Sequence, residues 1–460
     1  MIAYKALLNK QKSFFDTHQT KEYEFRINQL KKLKSVLLEQ ENIIYTALLK
    51  DLKKNAFESY TTEFGVIISE IDFFLKNLKS LMKPKSVSTS LVHFWSTSKI
   101  ISEPFGNTLI ISPWNYPFQL VFSPLIAAIA SGNTAIIKYS EISEHTSSLC
   151  HNIITQTFDD AYITGVLGDA VVTQELLNLK FDFIFFTGST AVGKIIYQKA
   201  ALHLTPVVLE LGGKTPCIVH ADSSLDLTAK RIVWGKFTNC GQTCIAPDYI
   251  FVHQSVKKQL TEKIIFYIEQ SFGKKPFESD SYGKIISQKH TERLISLLEH
   301  CKIIYSGEQS IENQYLSPTI VENCIDKPIM EEEIFGPILP ILEYQNIEEV
   351  VDYINANPKP LALYLFTKDK KIQNTVLNNT SSGGVTINDT LLHFANSNLP
   401  FGGVGASGIG KYHGIYSFDA FSNKKGVLKH SFIYDFKQKY PPYNTKLLHL
   451  LKFFFKYFMH

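Results

Sequence analysis

The segment from Phe237 to Pro247 reads F-T-N-C-G-Q-T-C-I-A-P and contains two cysteines, Cys240 and Cys244. A cysteine is a nucleophile only as the thiolate, so a reactive one needs cations or aligned backbone N–H groups around its sulfur. The two thiols are also one helical turn apart, as two buried apolar side chains of a core helix would be. The segment alone favours that core interpretation, and the neighbouring motifs decide whether Cys244 carries chemistry.

A candidate base, Glu210, ends the apolar run P-V-V-L-E and precedes L-G-G-K. A carboxylate held at an apolar strand end has a raised pKa, which suits a general base working near neutral pH. The alternative is a glutamate that pairs with Lys214 or another cation. Both interpretations remain open on this residue alone.

A small-residue loop runs from Gly188 to Lys194 (G-S-T-A-V-G-K). Ile195 stands where a nucleotide-hydrolase P-loop needs its magnesium-binding hydroxyl, and Thr190 stands where the dinucleotide fingerprint needs its second glycine. What remains is a strand, a loop and a helix N-terminus, which together present free N–H groups to an anion such as a pyrophosphate. A structural turn is the alternative.

An α/β framework must position these segments. From Glu103 onward, short apolar strands alternate with helices, which is typical of a parallel sheet covered on both faces. The predicted elements are strands at 107–112, 133–138, 181–186 and 206–210, helices at 124–131 and 225–237, and a second strand and helix alternation at 249–388. Ligands collect beyond the carboxyl ends of such strands, so we expect the loops there to meet. The run from Gly402 to Lys411 is predicted to be a loop packed closely on another backbone or a ligand.

Three further segments flank this framework. Residues 2–82 have apolar positions at helical spacing and are predicted to be helices. Residues 86–102 alternate β-branched and serine residues, which favours a hairpin or extended arm that pairs with another subunit. Residues 446–460 form an apolar run of helical length that is too short to cross a bilayer. We favour its burial against the body or a partner subunit over a place in a membrane interface.

The composition describes a folded protein of about two to three domains. Of its 460 residues, 45% are apolar and 20% are charged. The net charge of +4 is too mild and too dispersed for nucleic acid. The lysines that contribute this charge are interpreted as residues on solvated helix faces. They include Lys31, Lys32, Lys34, Lys53, Lys54, Lys424 and Lys425.

The six cysteines are scattered, without metal-ligand spacing or the density of a disulfide scaffold. We therefore expect free thiols, a reducing compartment and no metal site. The first residues lack a secretory signal, and no window is long and apolar enough for a spanning helix. The predicted location is the cytoplasm, with peripheral attachment to a membrane left open.

Six motifs occur in one order: P-W-N-Y-P, F-T-G-S-T-A-V-G, L-E-L-G-G-K, N-C-G-Q-T-C, E-E-I-F-G-P and L-P-F-G-G-V-G-A-S-G-I-G. Together they resemble the aldehyde dehydrogenase superfamily over residues 103–421. The short N-terminal block, N-C-G-Q-T-C-I-A-P-D-Y and K-Y-P-P-Y-N are similar to its class-three branch, which includes fatty and aromatic aldehyde dehydrogenases.

The resemblance implies the aldehyde dehydrogenase fold. Its expected parts are a Rossmann-like NAD(P)-binding domain (1–85 and 103–210), a second α/β catalytic domain (211–410), oligomerisation or bridging elements (86–102 and 411–440) and a C-terminal apolar helix (441–460). A homodimer is the expected assembly. The C-terminal segment is further expected to shape or cap a tunnel for long apolar aldehydes.

The resemblance also implies NAD(P)-dependent oxidation of an aldehyde to the carboxylic acid. The expected substrate is a medium-chain or long-chain aliphatic aldehyde, or an aromatic one. Cys244 would attack the carbonyl carbon, and Asn115 with the backbone N–H of Cys244 would bind the oxyanion. Glu210 would activate the water that hydrolyses the resulting thioester.

The resemblance assigns the cofactor contacts residue by residue. Lys138 and Glu141 match positions near the adenine ribose, Gly188, Ser189 and Gly193 match positions at the pyrophosphate, and Glu333 and Phe335 match positions at the nicotinamide ribose and ring. Tyr139 departs from the family, which usually has proline there. Glu141 favours NAD over NADP because a 2'-phosphate would bring negative charge against its carboxylate.

Two functions of other kinds remain open. The first is a thiol hydrolase with a Cys-His-Asn arrangement, although no signature makes His151, His253 or His393 the partner of Cys244. The second is a structural or binding protein that has kept the fold and lost catalysis. The presence of Asn115, Glu210 and Cys244 together argues against the second.

Overall fold

The computed structural model describes residues 2–90, 93, 95–433, 435 and 437–458. Its N-terminal block is helical, as the apolar spacing predicts. The helices are α1 (Ile2–Phe15), α2 (Tyr23–Glu39), α3 (Glu41–Leu52), α4 (Ala56–Ser59) and α5 (Gly65–Leu81), with a π-helical turn at Tyr60–Phe64. Leu30, Leu33 and Leu37 of α2 are fully buried in the largest core of the molecule.

The predicted arm contains two antiparallel strands, β1 (Lys85–Val87) and β2 (Ser96–Pro104). Lys85 lies opposite Ile100, and β1 is exposed along its whole length. Residues 91, 92 and 94 of the arm lie outside the described residues. The hairpin prediction is confirmed for the part of the arm that is described.

The first large sheet follows this arm along the chain. Its parallel strands are β3 (Asn107–Ile111), β4 (Thr134–Lys138), β5 (Ile163–Val166), β6 (Phe183–Thr187) and β7 (Val207–Glu210), and its helices are α6 (Gln119–Ser131), α7 (Glu144–Thr157), α8 (Ala170–Leu177) and α9 (Thr190–Ala201). The strands are almost wholly buried, as expected for a parallel sheet with both faces covered. Their spatial order is β7-β6-β3-β4-β5, so the order in which strands are added reverses between β3 and β6. Loops that follow two such strands open a ligand crevice at the carboxyl edge.

The second sheet has seven strands in the spatial order β10-β13-β14-β9-β8-β15-β16. Its strands are β8 (Pro216–Val219), β9 (Tyr249–His253), β10 (Lys302–Tyr305), β13 (Thr319–Glu322), β14 (Ile338–Tyr344), β15 (Ala362–Phe366) and β16 (Gly384–Ile387). Its helices are α10 (Leu225–Phe237), α11 (Lys257–Phe272), α12 (Gln288–Ser296), α13 (Ile347–Ala356) and α14 (Lys370–Asn379), and β11 (Gln309–Ser310) and β12 (Tyr315–Leu316) form a separate ladder. The edge strand β10 is antiparallel and the others are parallel. The second α/β unit predicted from the sequence is confirmed.

The end of the chain returns to the earlier elements. It contains β17 (Gly408–Ile409), α15 (Ile415–Ala420), β18 (Ser422–His430) and α16 (Thr445–Phe458). Gly408 lies opposite Glu210, so the glycine-rich run adds a short antiparallel strand to the first sheet. The longer β18 pairs with β2 and completes a three-stranded sheet.

The structure corrects four sequence predictions for the two large sheets and the N-terminal helices. The strand β5 was not predicted, because the four-residue run I-T-G-V carries little apolar pattern. The second sheet begins at β8, before the cysteine segment, and not at residue 249. The helix α6 begins at Gln119, with Pro124 inside it. Lys54, expected on a solvated face, is fully buried beside Glu63.

The helix α16 exposes most of its apolar side chains. Leu450 is 64% exposed and Phe453 is 57% exposed, so burial against the body of the same chain is wrong for this helix. Burial against a partner subunit stays a prediction, and residues 459 and 460 lie outside the described residues. Within the described part of the chain, none of the helices has the length and apolar character to cross a membrane.

Candidate active site

A cavity of about 780 Å³ lies where the loops after β3, β6 and β7 meet segments of the second sheet. It brings together most of the residues singled out in the sequence. Those that line it are Asn115, Gly188, Ser189, Glu210, Cys244, Glu333 and Phe335. Lys138, Glu141 and Gly193 are not among its lining residues.

Cys244 and Cys240 face different parts of the molecule. The chain between them is not helical, because Asn239 and Cys240 have φ angles of 52° and 55°. Cys240 is buried in the core of the second sheet, whereas Cys244 is partly exposed to the cavity. The interpretation as two equivalent core thiols is therefore wrong.

The pKa of the Cys244 thiol is raised. Burial is the largest cause, and the carboxylates of Glu333 and Glu210 add to it. The backbone N–H groups of Cys244 and Ile245 point at the sulfur and oppose the shift. Aligned N–H groups are thus present as expected, but burial outweighs them. The thiol needs a base to remove its proton.

Glu210 ends β7 and is 3% exposed. Burial raises the pKa of its carboxyl group, and Lys411 opposes that shift. Neither carboxylate oxygen has a hydrogen-bond partner among the described residues. Lys214 pairs with Asp248 and not with Glu210, so the paired alternative is wrong for that lysine. An unpaired buried carboxyl group beside a thiol is a suitable general base.

Asn115 is held between the two loops that line the centre of the cavity. Its Nδ2 donates to the carbonyl of Gln242 at 3.1 Å, which leaves one N–H of the amide for another acceptor. The neighbouring Tyr116 hydroxyl lies 2.6 Å from Thr243 Oγ1. The loop after β3 is thereby fastened to the residues just before Cys244.

The loop after β6 presents the N-terminus of α9 to the cavity. Ser189 caps this helix by accepting from the N–H of Val192 at 3.4 Å. Thr187 Oγ1 is buried and has no partner among the described residues, although Thr187 lines the cavity. A free hydroxyl and a helix N-terminus fit the pyrophosphate of NAD(P). Gly193 instead faces Leu211, which a Cβ at that position would meet at 2.6 Å.

The loop at residues 331–335 closes the other side of the cavity. Glu333 lies over Gly212, and the backbone N–H of Gly213 points at its carboxylate. Phe335 meets the edge of Trp114, with ring centroids 5.3 Å apart. A carboxylate beside a flat aromatic wall fits a nicotinamide ribose and ring.

Lys138 and Glu141 lie together at the end of β4. Lys138 Nζ donates to the carbonyl of Tyr139 at 2.6 Å and lies 3.3 Å from Glu141 Oε2. Tyr139 turns into the sheet, where a Cβ on Gly165 would stand 2.1 Å from its hydroxyl. The departure from proline is therefore accommodated by a glycine on the neighbouring strand. The adenine-side roles of Lys138 and Glu141 remain predictions.

Several lining residues were not found from the sequence. His290 and Arg293 reach the cavity from α12, where His290 packs on Trp114 with ring centroids 5.0 Å apart. Arg293 lies 3.1 Å from Glu332, which ties α12 to the loop at 331–335. Charged residues in an amphipathic helix look like a solvated face in sequence, and no local signal marks them.

The histidines named for a thiol hydrolase do not reach Cys244. His393 bonds Thr386 at 2.9 Å and stacks on Phe401, and burial lowers its pKa to about 4. His253 bonds Ser255, and His151 packs against Tyr139. None of the three lines the cavity. The hydrolase interpretation has no support in this geometry.

Comparisons with known proteins identify relatives over almost the whole chain. The model of the aldehyde dehydrogenase family matches residues 3–427. The chain is 47% identical to 4,4'-diaponeurosporen-aldehyde dehydrogenase of Staphylococcus aureus over 446 residues, which cover 96% of this chain and 97% of that protein. It is 44% identical to aldehyde dehydrogenase family 3 member A2 of Mus musculus over 443 residues, which cover 96% and 92%. A structure of the substrate-bound state of Staphylococcus aureus AldH superposes with a TM-score of 0.96 at 46% identity, covering 98% of this chain and 99% of that one.

Proposed function

The chain belongs to the aldehyde dehydrogenase family, and from that premise we propose that Cys244, Glu210 and Asn115 are the catalytic residues of its NAD(P)-dependent aldehyde oxidation. The observation that carries this assignment is their convergence in one cavity with the N-terminus of α9. Glu210 ends a strand of the first sheet, whereas Cys244 lies in the loop before β9 of the second sheet, so only the folded chain brings the two groups together.

The first step forms a bond between Cys244 Sγ and the aldehyde carbon. Glu210 takes the thiol proton, because its buried carboxylate has no competing partner among the described residues. The carbonyl oxygen becomes an oxyanion that accepts from the free N–H of Asn115 and from the backbone N–H of Cys244. The product of this step is a thiohemiacetal.

NAD(P), when bound, supplies the acceptor for the hydride that leaves the aldehyde carbon. Loss of that hydride leaves a thioester on Cys244. Glu210, after releasing its proton to solvent, takes a proton from the water that attacks the thioester carbon. The carboxylic acid leaves and Cys244 is restored. Thr187, Ser189 and Glu333 would hold the cofactor, and the carboxylate of Glu141 favours NAD over NADP.

The aldehyde limb of the cavity consists of the lining side chains from the π-helical turn, the start of α6, the end of α10 and residues 391–395, together with Phe401 and Tyr412. These side chains are aromatic, aliphatic or uncharged polar. The charged lining residues belong to the catalytic centre, to the loops on the cofactor side and to helices α9 and α12. This division supports an uncharged, apolar substrate, which we propose to be a medium-chain or long-chain aliphatic aldehyde or an aromatic one. A relative named for 4,4'-diaponeurosporen-aldehyde supports the same class.

A chain-length series tests the substrate class. We expect kcat/KM with NAD to rise from acetaldehyde to decanal, by up to about tenfold for each one or two methylenes that reach an apolar wall. A phosphorylated aldehyde of similar length should react poorly, because the aldehyde limb offers no cation. A preference for the phosphorylated substrate would overturn the assignment.

We propose a homodimer formed through the three-stranded sheet of the arm. The strand β18 is the last strand of this sheet, so it pairs with β2 on one edge and with no described strand on the other, where a second copy can pair. Edge strands of this length are usually covered. Light scattering of the purified chain should give twice the monomer mass. The monomer mass at micromolar concentration would contradict the proposal.

We propose that the helix α16 lies at the substrate entrance or at a partner surface. Its described residues do not line the cavity, and its exposed apolar side chains need a cover. A chain that ends at Tyr443 should lose kcat/KM for long aldehydes more than for short ones. Unchanged values for both would remove the tunnel hypothesis. Contact with a membrane surface remains the less favoured alternative.

A further inference from the structure

Two opposite charges are fully buried beneath the loop that carries Asn115. Lys54 follows α3, Glu63 lies in the π-helical turn, and both side chains are 0% exposed. Lys54 Nζ lies 2.6 Å from Glu63 Oε1. Burying a charge pair is costly, so such a pair is weak evidence for stability alone. The other hydrogen bonds of Lys54 and Glu63 show which part of the molecule the pair holds in place.

The pair holds both ends of the loop. Lys54 Nζ donates to the carbonyl of Asn115 at 3.2 Å and lies 3.9 Å from the ring centroid of Tyr116. Glu63 Oε2 accepts from the N–H groups of Phe118 at 2.9 Å and Gln119 at 3.1 Å, at the N-terminus of α6. A carboxylate at that position is stabilised by the helix dipole. The backbone of the loop is thus fixed from below by two charged groups.

The cysteine loop is fastened to the same support. Glu58 accepts from the N–H of Asn239 at 2.7 Å, and Asn239 Nδ2 donates to the carbonyl of Asn115 at 2.7 Å and to that of Gln242 at 3.2 Å. Asn115 Nδ2 donates to that same Gln242 carbonyl. The direction of the free N–H of Asn115 therefore depends on one connected network.

The π-helical turn explains how Glu63 reaches this place. Thr61 and Thr62 of the turn line the cavity, while Glu63 faces the interior. An extra residue in a helical turn changes which side chains share a face, and such turns are frequent at functional sites. The turn gives one short segment both a wall of the aldehyde limb and a support beneath Asn115.

We propose that Lys54 and Glu63 are positioning residues that aim the amide of Asn115 at the oxyanion. The inference rests on the proposed role of Asn115. Neither residue lines the cavity, so both act through the loop at residues 115–119. A displacement of about 1 Å in such a donor costs about a hundredfold in rate. Loss of the pair should therefore lower kcat for hydride transfer and leave NAD binding intact.

A double-mutant cycle between Lys54→Met and Asn115→Ala tests the inference. Lys54→Met should lower kcat by about tenfold or more in the natural chain and by less than about twofold when Asn115 is already alanine. The isotope effect with 1-deuterated aldehyde should rise in Lys54→Met as hydride transfer becomes slower. Equal losses in both backgrounds would overturn the inference and leave the role of Asn115 intact. An Asn115→Ala chain with full turnover would instead refute the proposed role of Asn115.

Two further variants keep the test decisive. Lys54→Met with Glu63→Gln removes both charges, so no uncompensated buried charge opposes folding. This double variant and the single variant Glu63→Gln should each show the same loss of kcat as Lys54→Met, and full kcat in the folded double variant would refute the inference. Glu70→Gln is the matched control, because Glu70 is a buried carboxyl group of α5 that bonds Ser123 and Ser417 and not the Asn115 loop. Its kcat should equal that of the natural chain, and a loss as large as that of Glu63→Gln would also refute the inference.

Discussion

Glu333 lies directly over Gly212, so that a Cβ added to Gly212 would stand 1.8 Å from Glu333 Oε2. The φ angle of Gly212 lies outside the left-handed region. Glycine is therefore needed here because it has no side chain, and not because its backbone adopts an unusual conformation. The glycine follows Glu210 by two residues. The chain segment that supplies the proposed base thus also makes room for the carboxylate proposed to bind the nicotinamide ribose.

Gly212→Ala should weaken cofactor binding by displacing Glu333. Burial raises the pKa of Glu333 well above its ordinary value, so its hydrogen bond to the ribose is taken as that of an uncharged group, about 0.5–1.5 kcal/mol, and the dissociation constant of NAD should rise about two- to tenfold. Titration of NAD followed by calorimetry measures this. Gly426→Ala is the control, because nothing lies within 4 Å of the added Cβ. An unchanged constant in Gly212→Ala would show that Glu333 does not bind the ribose.

Glu210→Gln should separate the two halves of the reaction. The amide can neither take the thiol proton nor activate water, so at a pH high enough for the thiol to ionise unaided the variant should release a slow burst of reduced cofactor and then stop with a thioester on Cys244. Mass spectrometry of the quenched protein should find the acyl group. Full steady-state turnover in Glu210→Gln would remove Glu210 from the hydrolysis step.

Cys244→Ala should lower turnover by about a thousandfold or more, because no other thiol lines the cavity among the described residues. NAD binding should be preserved. Cys301→Ala removes a partly exposed thiol outside the cavity and should keep full activity. Equal activity in the two variants would place the nucleophile elsewhere.

The loops after β3 and β6 were predictable because each follows a buried strand. The runs N-T-L-I-I and F-I-F-F-T carry enough aliphatic and aromatic residues to mark β3 and β6, so the residues after them could be expected at one edge. The strand β5 is different, since Gly165 interrupts its short pattern. Gly165 is required because the Tyr139 hydroxyl occupies the space that a side chain would need. That contact depends on the packing of α7 and the sheet.

The support beneath the site was not predictable. Lys54 follows Lys53 in a polar stretch and reads as a solvated residue, yet its side chain is completely buried against Glu63. Nine residues separate the two, a spacing that no regular helical face would bring together. The π-helical turn and the loop after β3 create the contact, and both belong to tertiary structure.

The value of kcat/KM should rise as the pH is raised. Burial raises the pKa of both Glu210 and Cys244, and each group reacts in its deprotonated form. The rising limb should therefore lie above the ordinary glutamate pKa of about 4.3. In Glu210→Gln the burst rate should rise only at still higher pH, because the thiol must then ionise without a base. A flat profile between pH 5 and 8 would contradict both shifts.

Glu70→Gln should change how stability depends on pH. Burial raises the pKa of Glu70 to about 7, so the folded state binds more protons than the unfolded state between about pH 4.5 and pH 7. The stability that protonated Glu70 gives to the folded state is complete below that range and is lost as pH rises through 7. At pH 8 the variant should be more stable than the natural chain by on the order of 3 kcal/mol, and the difference should vanish below pH 4.5. Thermal unfolding at both pH values measures this, and a variant that is less stable at pH 8 would contradict it.

Gln119→Leu should favour long apolar aldehydes. Gln119 lies in the first turn of α6 and lines the cavity, and its Nε2 is buried without a partner among the described residues. An orphan buried donor costs about 1–3 kcal/mol, so an aliphatic side chain of similar size removes that cost and extends the apolar wall. We expect kcat/KM for decanal to rise several-fold while that for acetaldehyde stays unchanged. Gln174→Leu on the exposed face of α8 is the control and should alter neither value. A lower kcat/KM for decanal in Gln119→Leu would mean that the amide binds an oxygen atom of the natural substrate, and hydroxylated aldehydes would then be the compounds to compare.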